Sequence, residues 1–180
     1  MTLRAKLRET VAARLVPELK RRGFSGPDKI GGNAISHEFR RMTNGRDERL
    51  SVQFEKRQRP RFVLNIWVEP PGGVESLIDV GGTWIQGRVS QTKGAFTRSW
   101  FRADRPLWQR LIGKRTSREQ EAVSQAIAYL AAIDDWYEHR RETDIVRVMT
   151  FTYPNALGKQ PNHTLEGICQ PADGLSKPSM

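Results

Sequence analysis

The chain has a single cysteine, Cys169, in 180 residues. That excludes an intrachain disulfide and a cage of cysteine ligands around a metal. Its place in a loose, polar C-terminal stretch reads as an inert thiol. Long apolar runs are also missing: none approaches the roughly 18–20 residues that span a bilayer. The opening MTLRAKLRETVAARL is interrupted by charges every few residues, whereas a secretory signal needs an unbroken apolar stretch of about 7–15 residues. Glu9 and Glu18 argue against a transit peptide. The expected compartment is the cytoplasm. Catalytic signatures are lacking too. There is no Gly-x-Ser-x-Gly elbow, P-loop, His-Glu-x-x-His or conspicuous acid pair. Gly-Gly recurs at 31–32, 72–73 and 81–82, never in an array that would cradle phosphate between a strand and a helix. No cofactor and no metal is expected.

What the chain has is positive charge. The net is +10, mostly arginine, a balance that favours polyanions or acidic partners. It is unevenly spread. Residues 1–26 hold seven Lys/Arg against two Glu, and residues 36–61 hold eight against four acids, while the last 27 residues are neutral. At 37% hydrophobic and 28% charged, the composition is that of a soluble globular domain.

Periodicity assigns the elements. Leu3, Leu7, Val11, Leu15 and Leu19 form a stripe along a helix over residues 2–22, capped by Thr2 and closed by Gly23. Pro17 predicts a kink or break near Leu15. Residues 25–34 are a Gly/Pro-rich loop. Alternating Ile35/His37/Phe39, Leu50/Val52/Phe54 and Phe62/Leu64/Ile66/Val68 predict an antiparallel meander. The Asn44-Gly45 turn pairs residues summing to 89: Phe39 faces Leu50, Ile35 faces Phe54, and Arg41 meets Glu48. Parity in the second hairpin demands an odd loop. Gln58-Arg59-Pro60 supplies one, setting Phe54 against Leu64 and Val52 against Ile66. Short strands are expected at 83–90 and 95–102 with a turn at 91–94, and a short helix at 105–113. A long helix follows at 117–141, with Thr116 and Glu119 at capping-box spacing, then a final strand at 145–153.

The stretch FEKRQRPRFVLNIW poses the functional question. Its basic run reads most simply as a hairpin tip, with Pro60 in the loop. The meander's second face carries Ser36, Glu38, Arg40, Arg49, Ser51, Gln53, Glu55, Arg61, Val63, Asn65 and Trp67. It faces solvent, lies under the C-terminal part, or binds something. Arginines with an aromatic platform can hold single-stranded nucleic acid. Of the histidines, His37 falls on the apolar face opposite Val52. His139 follows Asp135 by four residues, at the spacing of a two-ligand half-site with no third ligand. His163 sits near Cys169 without zinc spacing.

The order of parts resembles a bacterial single-domain family catalogued only as a domain of unknown function. The likeness covers about residues 3–140, on the GF after the first helix (LVPELKRRGF), ISHEFRR, LSVQFEKRQ, the Asn in RFVLNIWV and the aromatic pair in RSWFRAD. Segment 70–83 and the tail match it poorly. It implies an α+β fold and brings no catalytic residues.

The expectation is one α+β domain over 1–153, with a Pro/Gly-rich polar tail at 154–180. Five or six antiparallel strands carry the N-terminal and long C-terminal helices on one face. Three functions stay open. One is a non-enzymatic binding protein for a protein partner, accessory or immunity-like. Another is a nucleic-acid binder. The third is an enzyme using His37 or the Asp135/His139 pair. The candidate binding residues are Arg40, Arg49, Gln53, Arg57, Arg59, Arg61, Asn65 and Trp67, suited to an acidic protein or a nucleic acid.

Overall fold

Leu3, Leu7, Val11, Leu15 and Leu19 repeat every four residues, which in an ideal α-helix drifts about 40° per step off a common face. The chain corrects the drift. α1 (Leu3–Thr10) passes into a π-helical turn (Val11–Leu15) and then α2 (Val16–Arg21). The wider turn keeps Leu7, Val11, Leu15 and Leu19 fully buried. It also accommodates Pro17, whose missing N–H leaves the Ala13 carbonyl without its α-helical donor. The Val16 N–H reaches back five residues to the Val11 carbonyl. The expected break near Leu15 is therefore a π turn inside a continuous helical path. Thr2 caps the start, accepting from the Ala5 N–H at 3.2 Å. At the far end Gly23 is left-handed (φ 84°), and the Phe24 N–H returns to the Leu19 carbonyl at 3.1 Å.

The computed structural model describes residues 1–30, 34–57, 59–77, 81–89, 91–93, 96–98, 100–104 and 117–153. Gly31 to Asn33, the predicted 105–113 helix, Thr116 and the 154–180 tail with His163 and Cys169 lie outside them. The strands are β1 (Ser36–Thr43), β2 (Arg46–Phe54), β3 (Arg61–Val68), β4 (Gly82–Val89), β5 (Gln91–Lys93), β6 (Phe96–Arg98), β7 (Phe101–Arg102) and β8 (Val146–Tyr153). Six make one antiparallel sheet in the order β1-β2-β3-β4-β8, with β7 pairing β3; β5 and β6 form a separate ribbon. Residues 91–93, expected in a turn, are thus a strand, and the expected 95–102 strand divides into β6 and β7.

The first hairpin has the register that its turn dictates: Phe39 lies opposite Leu50 and Arg41 opposite Glu48, and the Phe54 N–H donates to the Ile35 carbonyl at 2.7 Å. The second keeps the predicted parity but differs in register by two. Phe54 faces Phe62 and Val52 faces Leu64. The Glu55 N–H closes on the Arg61 carbonyl at 3.2 Å, so the loop spans 56–60 rather than three residues. Three- and five-residue loops place the same side chains on the same face, so alternation alone does not separate them.

The expected long helix is two: α3 (Arg118–Ala128) and α4 (Leu130–His139), joined at Tyr129. Their buried residues Ala122, Val123, Ala126, Leu130, Ile133, Trp136 and Tyr137 close on Phe39, Leu50, Val52, Phe54, Phe62, Leu64 and Ile66 together with the N-terminal stripe. This α+β core occupies one face of the sheet. Gly87 lets α4 approach: a Cβ there would stand 2.7 Å from Ile66 Cγ1, 2.9 Å from Val146 Cγ1 and 3.0 Å from Trp136 Cε2. At the sheet end, Arg41 bonds Glu48 at 2.5 Å and Asp134 at 2.8 Å and lies over the rings of Phe24 and Tyr137. It bolts the first hairpin to α4. Among the described residues no helix is long and apolar enough to cross a membrane.

Candidate functional site

Strand register carries the second face across the sheet. Asn65 lies opposite Arg88 and Trp67 opposite Gln86; Arg88 lies opposite Arg147, and Trp84 opposite Phe151. Side chains alternate along a strand, so Arg40, Arg49, Gln53, Arg61, Asn65 and Trp67 share this face with Trp84, Arg88 and Phe151. The described helices pack on the other.

Arg40, Arg49 and Arg61 are not free cations. Arg49 grips Asp47 with two bonds of 3.0 Å and Glu38 with one of 2.6 Å. Arg40 bonds the same Asp47 at 2.8 Å. Burial pushes the Asp47 carboxyl up, but the bonds from Arg49 and Arg40 outweigh it and hold it below the usual carboxylate range. Arg61 pairs with Glu55 and sits 5.5 Å over the Trp100 ring. Its hydrogen bond holds the Glu55 carboxyl down. Asn65 donates to Gln53 Oε1 at 3.0 Å and accepts from Arg88 at 2.9 Å. Ser36 and Ser51 share a 2.5 Å hydroxyl contact. The polar centre of the face is therefore a bonded network.

Arg57 and Arg59 differ. They sit at the hairpin tip, exposed, away from the face, and no ion pair engages them among the described residues. The structure thus brings six of the eight candidate residues onto one face and leaves two at its edge.

Among the described residues no helix covers Trp67. Its indole stands edge-on to Trp84, centroids 6.1 Å apart at 85°, and Trp84 lies 5.2 Å from Phe151. Phe151 is 38% exposed. The three rings run from β3 to the outer strand β8. Beside Trp67 and Trp84, the loop after β3 bounds an open pocket of about 370 Å³, with Glu38, Arg49, Glu69, Gly72, Gly73, Val74 and Glu75 in its wall. Glu69 accepts from Trp67 Nε1 at 2.7 Å and from the Val74 N–H at 3.1 Å. Trp84, Arg88, Phe151 and Glu69 were missing from the sequence expectation. Alternation in TWIQGRVS carried a usable signal: Ile85, Gly87 and Val89 face the core, so Trp84, Gln86 and Arg88 face away.

The enzyme candidates separate in space. His37 is 8% exposed and edge-on to Phe54 at 6.1 Å, with Nε2 buried and unbonded among the described residues. Burial, and then Arg8, push its pKa down. Arg8 covers the Phe54 ring at 4.6 Å and donates to the Ala34 carbonyl at 2.7 Å. Asp135 and His139 form a solvated pair at 3.1 Å on α4. No group of three potential metal ligands occurs among the described residues. Comparison with known protein families, with characterised proteins and with solved structures finds no match to this chain.

Proposed function

We propose that the chain is a non-enzymatic, cytoplasmic binding protein whose second sheet face receives a protein partner, in an accessory or immunity-like role, and that it belongs with the uncharacterised bacterial family that its motifs resemble. One observation carries this reading. The row Trp67–Trp84–Phe151 lies on the face opposite the described helices, a face whose centre at Ser51, Val63 and Asn65 is buried, and its outer ring is exposed. Aromatic side chains beside a bonded polar surround are the make-up of protein interfaces. The paired arginines support it from the other side: each already has a carboxylate or amide acceptor, so a polyanion would have to displace one.

The test takes the tagged protein, identifies what it retains, and titrates the purified partner by calorimetry against the parent and Phe151→Ser. Phe151 is half-exposed and outside the core, so the variant should keep its melting temperature and bind at least tenfold more weakly. Equal affinity for parent and variant would remove the aromatic row from the interface. A second reading has one observation behind it: Arg57 and Arg59, exposed and outside every ion pair among the described residues, suit a nucleic-acid backbone.

A further inference from the structure

The pocket beside Trp67 and Trp84 runs against the charge of the chain. The protein carries +10, yet among the described residues of the pocket wall Glu38, Glu69 and Glu75 stand against one cation, Arg49. Arg49 is already saturated by Asp47 and Glu38. What remains is an acidic recess with an indole corner: two ring planes at 85°. Ring faces attract cations, and carboxylates at the rim complete such a site. The acids do not converge as metal ligands do: the described residues hold no group of three that could grip an ion. A planar guanidinium fork gains most from two unshared oxygens of one carboxylate, and Glu69 already accepts from the Val74 N–H on Oε1 and from Trp67 Nε1 on Oε2, so a compact ammonium is the easier fit. Those bonds fix the carboxylate beside the ring, where a compact charge can approach from the open side. The volume, about 370 Å³, admits a short alkyl chain.

We infer that this pocket binds an alkylammonium group, either the side chain of a lysine or a free amine. The lysine form rests on the protein-partner reading above and names what that partner presents; the amine form does not.

The experiment follows the indole N–H resonances of the full-length protein by NMR. The probes are n-butylammonium chloride, n-butanol at matched concentration, and two short extended peptides that differ only by lysine against norleucine. Butylammonium should shift the Trp67 and Trp84 signals saturably while butanol leaves them in place. Glu69→Gln should weaken the amine about tenfold. If that variant fails to fold, Glu75→Gln, on the exposed rim, should weaken it by a smaller factor. Lysine peptide binding at least tenfold tighter than butylammonium assigns the source to a protein; equal affinities assign it to a free amine. Identical responses to butylammonium and butanol, or a folded glutamine variant with unchanged affinity, overturn the inference. Its failure is distinct from that of the partner reading, because Phe151 lies outside the pocket wall. A partner lost through Phe151→Ser without amine binding leaves the interface standing; amine binding with no partner leaves the pocket alone.

Discussion

His37 occupies an apolar strand position, and a neutral imidazole tolerates that where a charged one does not. Burial works against the cation, and Arg8 adds to it, so the folded pKa lies below the ordinary value near 6.5. Above that value both folded and unfolded chains carry a neutral ring, and pH has no effect through it. As pH falls through it, the unfolded chain takes up a proton that the folded chain refuses, and stability declines until the folded pKa is passed. Removing the titrating ring removes the slope. Thermal unfolding of His37→Leu should be flat between about pH 7.5 and 5, where the parent loses stability. At pH 8 the two should agree within about 1.5 kcal/mol. A parent curve as flat as the variant's would mean that folding leaves the His37 pKa unchanged. The carboxylates act elsewhere. Asp47 and Glu55 are held below their usual values, so their contribution is present above the ordinary carboxylate range and is lost as pH falls beneath it.

At the scale of elements, the contact between α4 and the sheet turns on a missing side chain. Trp136 is fully buried, and its indole reaches the sheet only because Gly87 has no Cβ. Ile66 and Val146 flank the same point, so no neighbour has room to yield. Gly87→Ala should cost about 1–3 kcal/mol by overpacking, read as a lower urea midpoint with an unchanged slope. A neutral result would show that α4 shifts freely on the sheet. This position also shows where sequence legibility ended. Alternation exposed both faces of the meander, and the Asn44-Gly45 turn pinned the first hairpin to the residue, because a two-residue turn admits one register. The second hairpin stayed ambiguous by two, since a longer loop preserves parity. Six of the eight candidate residues could be gathered on one face for the same reason. Ion pairs could be read only where register was certain, as with Arg41 and Glu48 on the core side, and those that quiet the arginines of this face could not. Trp84 and Phe151 joined the face through β4 and β8, whose pairing depends on a crossover that local pattern does not encode. The π turn follows from a four-residue apolar repeat plus Pro17, both visible in the sequence, but the choice between breaking and widening the helix is made by packing.

For the whole molecule, the question is what the +10 charge does. The net charge is what remains after every acid is counted, and on the second face Arg40 and Arg49 are matched by Asp47 and Glu38, and Arg61 by Glu55. Cations that already hold carboxylates release few counterions from a polyanion. Arg57 and Arg59 remain outside these pairs, at a protruding tip. Single-stranded RNA followed by fluorescence anisotropy over a salt series should therefore bind at low salt and let go near physiological ionic strength, where the screening length falls to about 8 Å. The double change Arg57→Ser and Arg59→Ser should flatten the log–log salt slope by about one to two units, roughly 0.7 for each phosphate of a single strand that is no longer neutralised. Arg40→Ser, which removes an already neutralised cation, should leave the slope nearly unchanged. Binding that stays tight at physiological salt and weakens equally with Arg40→Ser would mean that the face opens its ion pairs to receive nucleic acid. That result would move the sheet face, rather than the tip alone, from a protein interface to a nucleic-acid one.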